Sequence, residues 1–225
     1  MNATNQHRLS NWACGALTAL SGLLLSGSIL GVYRWVSAHV PFSWPAGALS
    51  SVGAFVLLDA LYYLQHRAEH RFRLLWATHA VHHQSPLCDA SVSFRTSMLA
   101  PVLVLVPHWL LAMLGVPLEV YLPVYALHTA FVFLLHSRTP RWFDRAGWMF
   151  NSPYLHRGHH STAPHLRGKN LGGALVIWDR LFGTYEPRCD VDTFGTGRGA
   201  APLNPLEANL QPLREWLSSS RGHRR

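Results

Sequence analysis

The 225-residue chain reads as an all-α integral membrane protein, with four transmembrane helices in two hairpins and a cytoplasmic helical cap carrying clustered histidines. Three observations predict this. Hydrophobic residues make up 49% of the chain against 13% charged, which is lopsided for a soluble fold. The apolar residues come in blocks, each near the twenty or so that suffice to cross a bilayer core. The basic residues lie almost wholly on one side of those blocks. Of the 19 Lys and Arg, only Arg34 falls in a loop that four spans place outside, and the positive-inside rule makes the other side cytoplasmic.

The first block runs from Ala13 to Trp35. His7 and Arg8 ahead of it, with Val36 to Ala38 behind, give it a faint likeness to a cleavable signal, but it is long for that and more spans follow. The second block is Ala46 to Leu64. The third and fourth, Met98 to Val116 and Leu118 to Leu135, are separated only by the tight turn at Gly115 to Pro117 and read as a helical hairpin inside the membrane. After Ser137 the chain stays cytoplasmic. Residues 1–190 read as one membrane-embedded domain and residues 191–225 as a basic, partly disordered tail, within which Leu206 to Leu217 would lie on the membrane surface. The net charge of +8 follows from this topology and from attraction to anionic lipid heads, and no motif points to nucleic acid. Cys14, Cys88 and Cys189 are too widely spaced for a disulfide framework or an iron-sulfur centre.

Fifteen histidines are present, and most are clustered. His66 and His70 are four apart. His79, His82 and His83 sit at i, i+3 and i+4, and the same H-x-x-H-H arrangement recurs at His156, His159 and His160, while His136 ends the fourth block. On a helix such spacings project from one face. Neutral imidazoles are good ligands for iron, zinc and copper, and two or three from one face bind without much rearrangement. The second and fourth blocks end on the cytoplasmic side, so all these rings can meet at the membrane's inner edge. Nine imidazoles exceed what one metal holds; two metals would use them at four or five nitrogens each. His128, deep in the fourth block and two turns before His136, is a candidate further ligand. His108, beside Pro107 and Trp109, reads as a packed structural residue. Asp59 forms a stripe with Tyr63, His66 and His70, placed either to accept a hydrogen bond from a ligating imidazole or to pair with Arg67, Arg71 or Arg73.

The stretches D-A-L-Y-Y-L-Q-H-R-A-E-H, L-W-A-T-H-A-V-H-H-Q-S, L-L-H-S, L-H-R-G-H-H-S and K-N-L-G-G-A-L-V-I-W-D-R-L-F-G-T-Y, in that order from Asp59 to Tyr185, resemble the fatty acid hydroxylase and sterol desaturase superfamily. The resemblance implies a membrane enzyme with two iron ions that uses O2 to hydroxylate or desaturate a lipid such as a fatty acyl chain or sterol. It implies His66, His70, His79, His82, His83, His136, His156, His159 and His160 as ligands, with Asn170 and Asp179 beside the centre. One departure stands out. Some members carry a further histidine four residues before the one at His136, where this chain has Val132, so that His128 or a water held by Asn170 would complete the shell. Asp179 is otherwise free to hold an imidazole or to pair with Arg157 or Arg180, and Gly172 and Gly173 mark a close backbone approach. The chain has no haem or iron-sulfur motif, so the two electrons would come from an external ferredoxin or b-type cytochrome with its reductase.

Two other readings compete. H-R-A-E-H at His66 to His70 also fits the H-x-x-E-H pattern of zinc hydrolases, with Glu69 as base, but it lacks a suitably placed distal carboxylate and leaves seven clustered histidines idle, so Glu69 reads as a solvated helix residue. A membrane metal transporter would place its site near the bilayer midplane, where only Asp59, His108 and His128 lie.

Overall fold

A computed structural model describes residues 2–137 and 147–221. Among them the chain is all-α, with nine α-helices and, in place of strands, the isolated bridges Phe150 to Leu175 and Ser161 to Phe194. Helix α1 (Ala3–His39) is capped by Asn2, whose Oδ1 accepts from the Asn5 N–H at 2.9 Å. Helix α2 spans Ala48–Arg71. These two helices are long and apolar enough to cross a membrane, which suggests membrane association, and α1 leaves Leu20, Leu23 and Leu24 exposed along its length.

The expected third span is broken. It divides into α4 (Ala100–Leu103) and α5 (Leu105–Met113), because Pro107 lacks an N–H and its ring opposes the carbonyl one turn back, at Leu103. At 1.5 Å per residue α5 reaches only about 14 Å, and α6 (Leu118–Leu134) about 26 Å, against a hydrocarbon core of about 30 Å. The full length of a crossing is therefore shown for two helices, not four. Tyr33, Leu58, Leu111, Val120, Tyr121 and Val124 form the core that joins α1, α2, α5 and α6. Within it the Tyr33 hydroxyl donates to the Val116 carbonyl at 2.8 Å.

A single extended residue, Phe72, separates α2 from α3 (Arg73–His83), and the reversal lays α3 against the last turns of α2. Helix α7 (Pro153–His159) starts at Ser152, whose Oγ accepts from the Leu155 N–H at 3.3 Å, with Pro153 in the first turn, where a missing N–H costs nothing. Gly158 in this helix faces Cys189 so closely that a Cβ would lie 2.3 Å from Sγ. A short helix, α8 (Ile177–Leu181), follows.

The C-terminal segment is not a separate tail. Residues Pro205–Arg221 form α9, which packs on α3 and α1. Arg95 ties these parts together. Fully buried, it donates to Val81 O at 2.9 Å, Ser10 Oγ at 2.9 Å, Gln84 Oε1 at 2.8 Å and Pro202 O at 3.2 Å. Asn209 of α9 accepts from the Met98 N–H at 2.8 Å. Ala208 on the inner side of α9 is buried with Cys14 and Val81, while Leu206, Leu210 and Leu217 of the stretch read as membrane-lying stay exposed. Residues 138–146 and 222–225, expected on the cytoplasmic side, lie outside the described residues.

Candidate metal centre

Helices α3 and α7 carry the same histidine spacing and use it in opposite senses. At about 100° per residue, positions i and i+4 lie about 40° apart on a helix while i+3 points about 60° to the other side. In α3 the i and i+4 rings, His79 and His83, join His66 and His70 of α2 and His159 of α7. In α7 the i and i+4 rings, His156 and His160, join His82 of α3 and His136 just beyond α6. Each motif gives two rings to one group and one to the other. Within each group the ligand-capable nitrogens all lie within 4.8 Å of one another.

In the second group His136 Nε2 lies 2.9 Å from His156 Nε2, 3.1 Å from His82 Nε2 and 3.2 Å from His160 Nε2. One nitrogen holds one proton or one lone pair, so three such approaches cannot all be hydrogen bonds. In the first group His79 Nε2 stands 3.0 Å from His66 Nε2 and 3.1 Å from His83 Nε2, while His70 Nε2 and His159 Nε2 are buried without any partner. Nitrogens about 3 Å apart are spaced as ligands sharing one ion through bonds of about 2 Å. The donor set therefore fits two metal ions, and the two groups are those of a di-metal site.

The far sides of the rings fix their tautomers. His66 Nδ1 donates to Leu171 O at 2.8 Å, His159 Nδ1 to Lys169 O at 3.0 Å and His82 Nδ1 to Arg95 O at 3.1 Å. His79 Nδ1 donates to Glu69 Oε2 at 3.0 Å. Each leaves a lone pair on Nε2, the arrangement a metal requires. Burial, reinforced by neighbouring imidazoles, holds His82, His83, His156, His159 and His160 well below the usual histidine range. Burial also lowers His136 to about 4, against the opposing pull of the Val132 and Phe133 carbonyls. Those six rings are thus neutral at physiological pH.

A cavity of about 320 Å³ opens beside both groups, with His79, His82 and His136 at one end, His108 and Tyr125 toward the other, and Leu103, Val104 and Val132 among its walls. A volume of this order suits a small-molecule or lipid-chain ligand.

The profile of the fatty acid hydroxylase family matches residues 51–184. This chain belongs to the fatty acid hydroxylase family. Alkylglycerol monooxygenase of Danio rerio is 30% identical over 196 residues, covering 83% of this chain and 42% of its own length. The human alkylglycerol monooxygenase is 27% identical over 91% of this chain and 46% of its own. Ornithine lipid hydroxylase OlsE of Rhizobium tropici is 34% identical over 65% of this chain and 44% of its own. The chain thus spans about half the length of the curated relatives it matches or less. No solved structure matches it. The family match takes in all nine clustered histidines and leaves out α1 and α9.

Beyond those nine, the expected site residues fall elsewhere than the sequence indicated. His128 lies outside both groups, its Nε2 held by Asp59 Oδ1 at 2.7 Å. Asp59 accordingly does not hold His66. Fully buried, it also accepts from the N–H groups of Ala174 at 2.6 Å and Leu175 at 3.0 Å, and from Trp178 Nε1 at 2.8 Å, pinning the 174–178 segment to α2. Among the described residues Asp179 holds no imidazole and no arginine. It accepts from the N–H groups of Leu171 and Gly172, both at 2.8 Å, and from Thr184 Oγ1 at 2.7 Å, and so aims the Leu171 carbonyl at His66. Burial raises its carboxyl above the usual range, against those hydrogen bonds. Asn170 holds a backbone turn at φ 54° rather than a water at the metals, donating to Glu186 O at 2.8 Å and accepting from its N–H at 2.9 Å. Asn170 and Asp179 thus act on the rings through the 169–171 backbone.

Glu69 is the residue that sequence reasoning misplaced. It is buried, accepting from His79 and, at 2.8 Å, from Gln65 Nε2. Both oxygens are engaged, so it is not poised as a hydrolytic base, and no carboxylate belongs to either group among the described residues. The signal was the i, i+4 spacing of Gln65 and Glu69, but the decisive partner comes from another helix.

Proposed function

We propose that this protein is an O2-dependent di-iron oxygenase that hydroxylates, or desaturates, a C–H bond of a membrane lipid. The observation that carries the reading is the convergence of nine imidazoles, in groups of five and four, at one end of a largely apolar cavity. When bound, two iron ions would supply the one-electron and O2 chemistry that side chains lack, and all-nitrogen ligand sets suit that role. The overall stoichiometry is R–H + O2 + 2 e⁻ + 2 H⁺ → R–OH + H2O for hydroxylation.

His66, His70, His79, His83 and His159 would hold one ion, and His82, His136, His156 and His160 the other. Glu69 and the carbonyls of Leu171, Lys169 and Arg95 keep four of those rings in the ligating tautomer. Leu103, Val104 and Val132 line the path by which a chain reaches the histidine end and exclude water from it. The names of the relatives, alkylglycerol monooxygenase and ornithine lipid hydroxylase, support an amphiphilic lipid as substrate.

The membrane arrangement belongs to the same reading. Helices α1 and α2 cross the bilayer, and the α5–α6 hairpin enters beside them, its exposed Leu110, Met113, Leu122 and Leu127 facing lipid. The histidine groups and both ends of the chain lie on the cytoplasmic side, where most basic residues are. Electrons come from an external ferredoxin or b-type cytochrome with its reductase, and exposed Arg71 and Arg73 offer such acidic donors a landing surface.

Lipid mass spectrometry of cells with and without the protein, grown under labelled O2, tests this. One labelled oxygen gained in a lipid marks hydroxylation, and loss of two hydrogens marks desaturation. An unchanged lipid profile, together with iron-free purified protein, would overturn it.

A further inference from the structure

We propose that His128, braced by Asp59, is a binding site inside the cavity for a hydroxyl or amide N–H of an amphiphilic lipid, and thereby sets which carbon of the chain meets the histidine groups. This deepens the lipid-oxygenase reading and rests on the cavity being the lipid's path.

His128 is 3% exposed, yet it lines the cavity and takes no part in either histidine group. Asp59 Oδ1 lies 2.7 Å from its Nε2. That carboxylate already receives two backbone N–H groups and the Trp178 indole, and with His128 as fourth donor its lone-pair sites are filled. The proton of the pair therefore sits on His128 Nε2. With Nε2–H given to Asp59, the neutral imidazole presents its lone pair at Nδ1.

That lone pair has no partner among the described residues, and the ring cannot turn to find one. The rings of Tyr62 and Phe55 flank it, with centroids at 5.2 and 5.7 Å. Behind it stands Gly173, where a Cβ would lie 2.9 Å from Nε2 and 2.6 Å from Asp59 Oδ1. An unpaired acceptor fixed in an apolar cavity is costly unless a ligand supplies the donor. Tyr62 also lies 5.5 Å, ring to ring, from His66, so one aromatic ring separates this acceptor from the first histidine group. A lipid anchored at His128 thus presents a carbon a few bonds from its polar atom to the metals. His108, braced by the Tyr121 hydroxyl at 2.8 Å, lines the same cavity and adds a second polar point, which a hydrocarbon-only channel would not need.

The test compares 1-hexadecanol with its methyl ether, which has the same chain but no donor, as ligands of the intact iron-loaded protein in lipid nanodiscs. The wild type is expected to bind the alcohol about five- to tenfold more tightly, the worth of one net hydrogen bond. His128→Leu should bind the two equally with iron content unchanged. His128→Gln, which offers Asp59 an N–H and the ligand an amide oxygen, should restore the preference. Equal binding of the two probes by the wild type, or a preference that survives His128→Leu, would overturn the proposal. Should His128→Leu fail to fold, the wild-type pair still decides. Oxygen incorporation from labelled O2, measured separately, reports on the oxygenase reading, so the two can fail independently.

Discussion

The two histidine groups are built from one motif but braced differently. The first, with five rings, leans on a carboxylate: His79 donates to Glu69, and two further rings donate to carbonyls of the 169–171 segment, which Asp179 holds in place. The second, with four rings, is braced by one distant contact, His82 on the Arg95 carbonyl. An anionic partner raises ring basicity and favours the more highly charged metal state, whereas a carbonyl mainly orients. A metal at the first position would therefore be tuned electronically, and one at the second by position alone.

The sharpest way to break this contrast is to remove one ring from each group. His136→Ala and His79→Ala should each lower metal content from two ions per chain to one and abolish lipid oxidation, as read by elemental analysis and product mass spectrometry. His79→Ala should be the worse folded, because it strands a buried carboxylate. Next comes Asp179→Ala. It frees the Leu171 and Gly172 N–H groups, lets the carbonyl that orients His66 drift, and should cut metal affinity at the first group about 10- to 100-fold while sparing the second. Glu69→Gln keeps the shape and removes the charge. About a tenfold loss confined to the first group is expected from competitive chelator titration. Equal losses at both groups would show that the carboxylate does not distinguish them.

Acid should act more gradually. The buried rings have depressed pKa values, His136 from 6.5 to about 4, so the unfolded chain binds protons that the folded chain refuses. Stability of the metal-free protein is full above about 6.5 and is lost as pH falls through the window down to about 4. A chemical-denaturation series across that range checks it. A midpoint that does not move would show that these rings are solvated in the metal-free form.

Much of the fold and of the centre was legible in the sequence, and each gap has a physical cause. Block hydropathy marked α1, α2 and α6, because apolar length is additive along the chain. It also joined α4 and α5 into one span, since hydropathy does not register the backbone hydrogen bond that Pro107 lacks. The pattern at Leu206 to Leu217 marked α9 as having an apolar face, on which Leu206, Leu210 and Leu217 stay exposed, but could not show that its other side, with Ala208 and Asn209, packs on α3 and α1. Asp59 lay in the right stripe for His66, yet the four donors that capture it come from His128 and the 174–178 segment, more than sixty residues away.

By itself the sequence determined that nine imidazoles would be available and which of them share a helical face, because ring direction within a helix follows from 3.6 residues per turn. Tertiary structure alone decided how they divide into five and four, which ring meets Glu69, and that His128 faces a cavity instead of a metal. Those outcomes depend on how α2, α3, α6 and α7 are set against one another. That relation is fixed by contacts such as Phe72, Arg95 and Gly158 against Cys189, whose partners no local spacing can name.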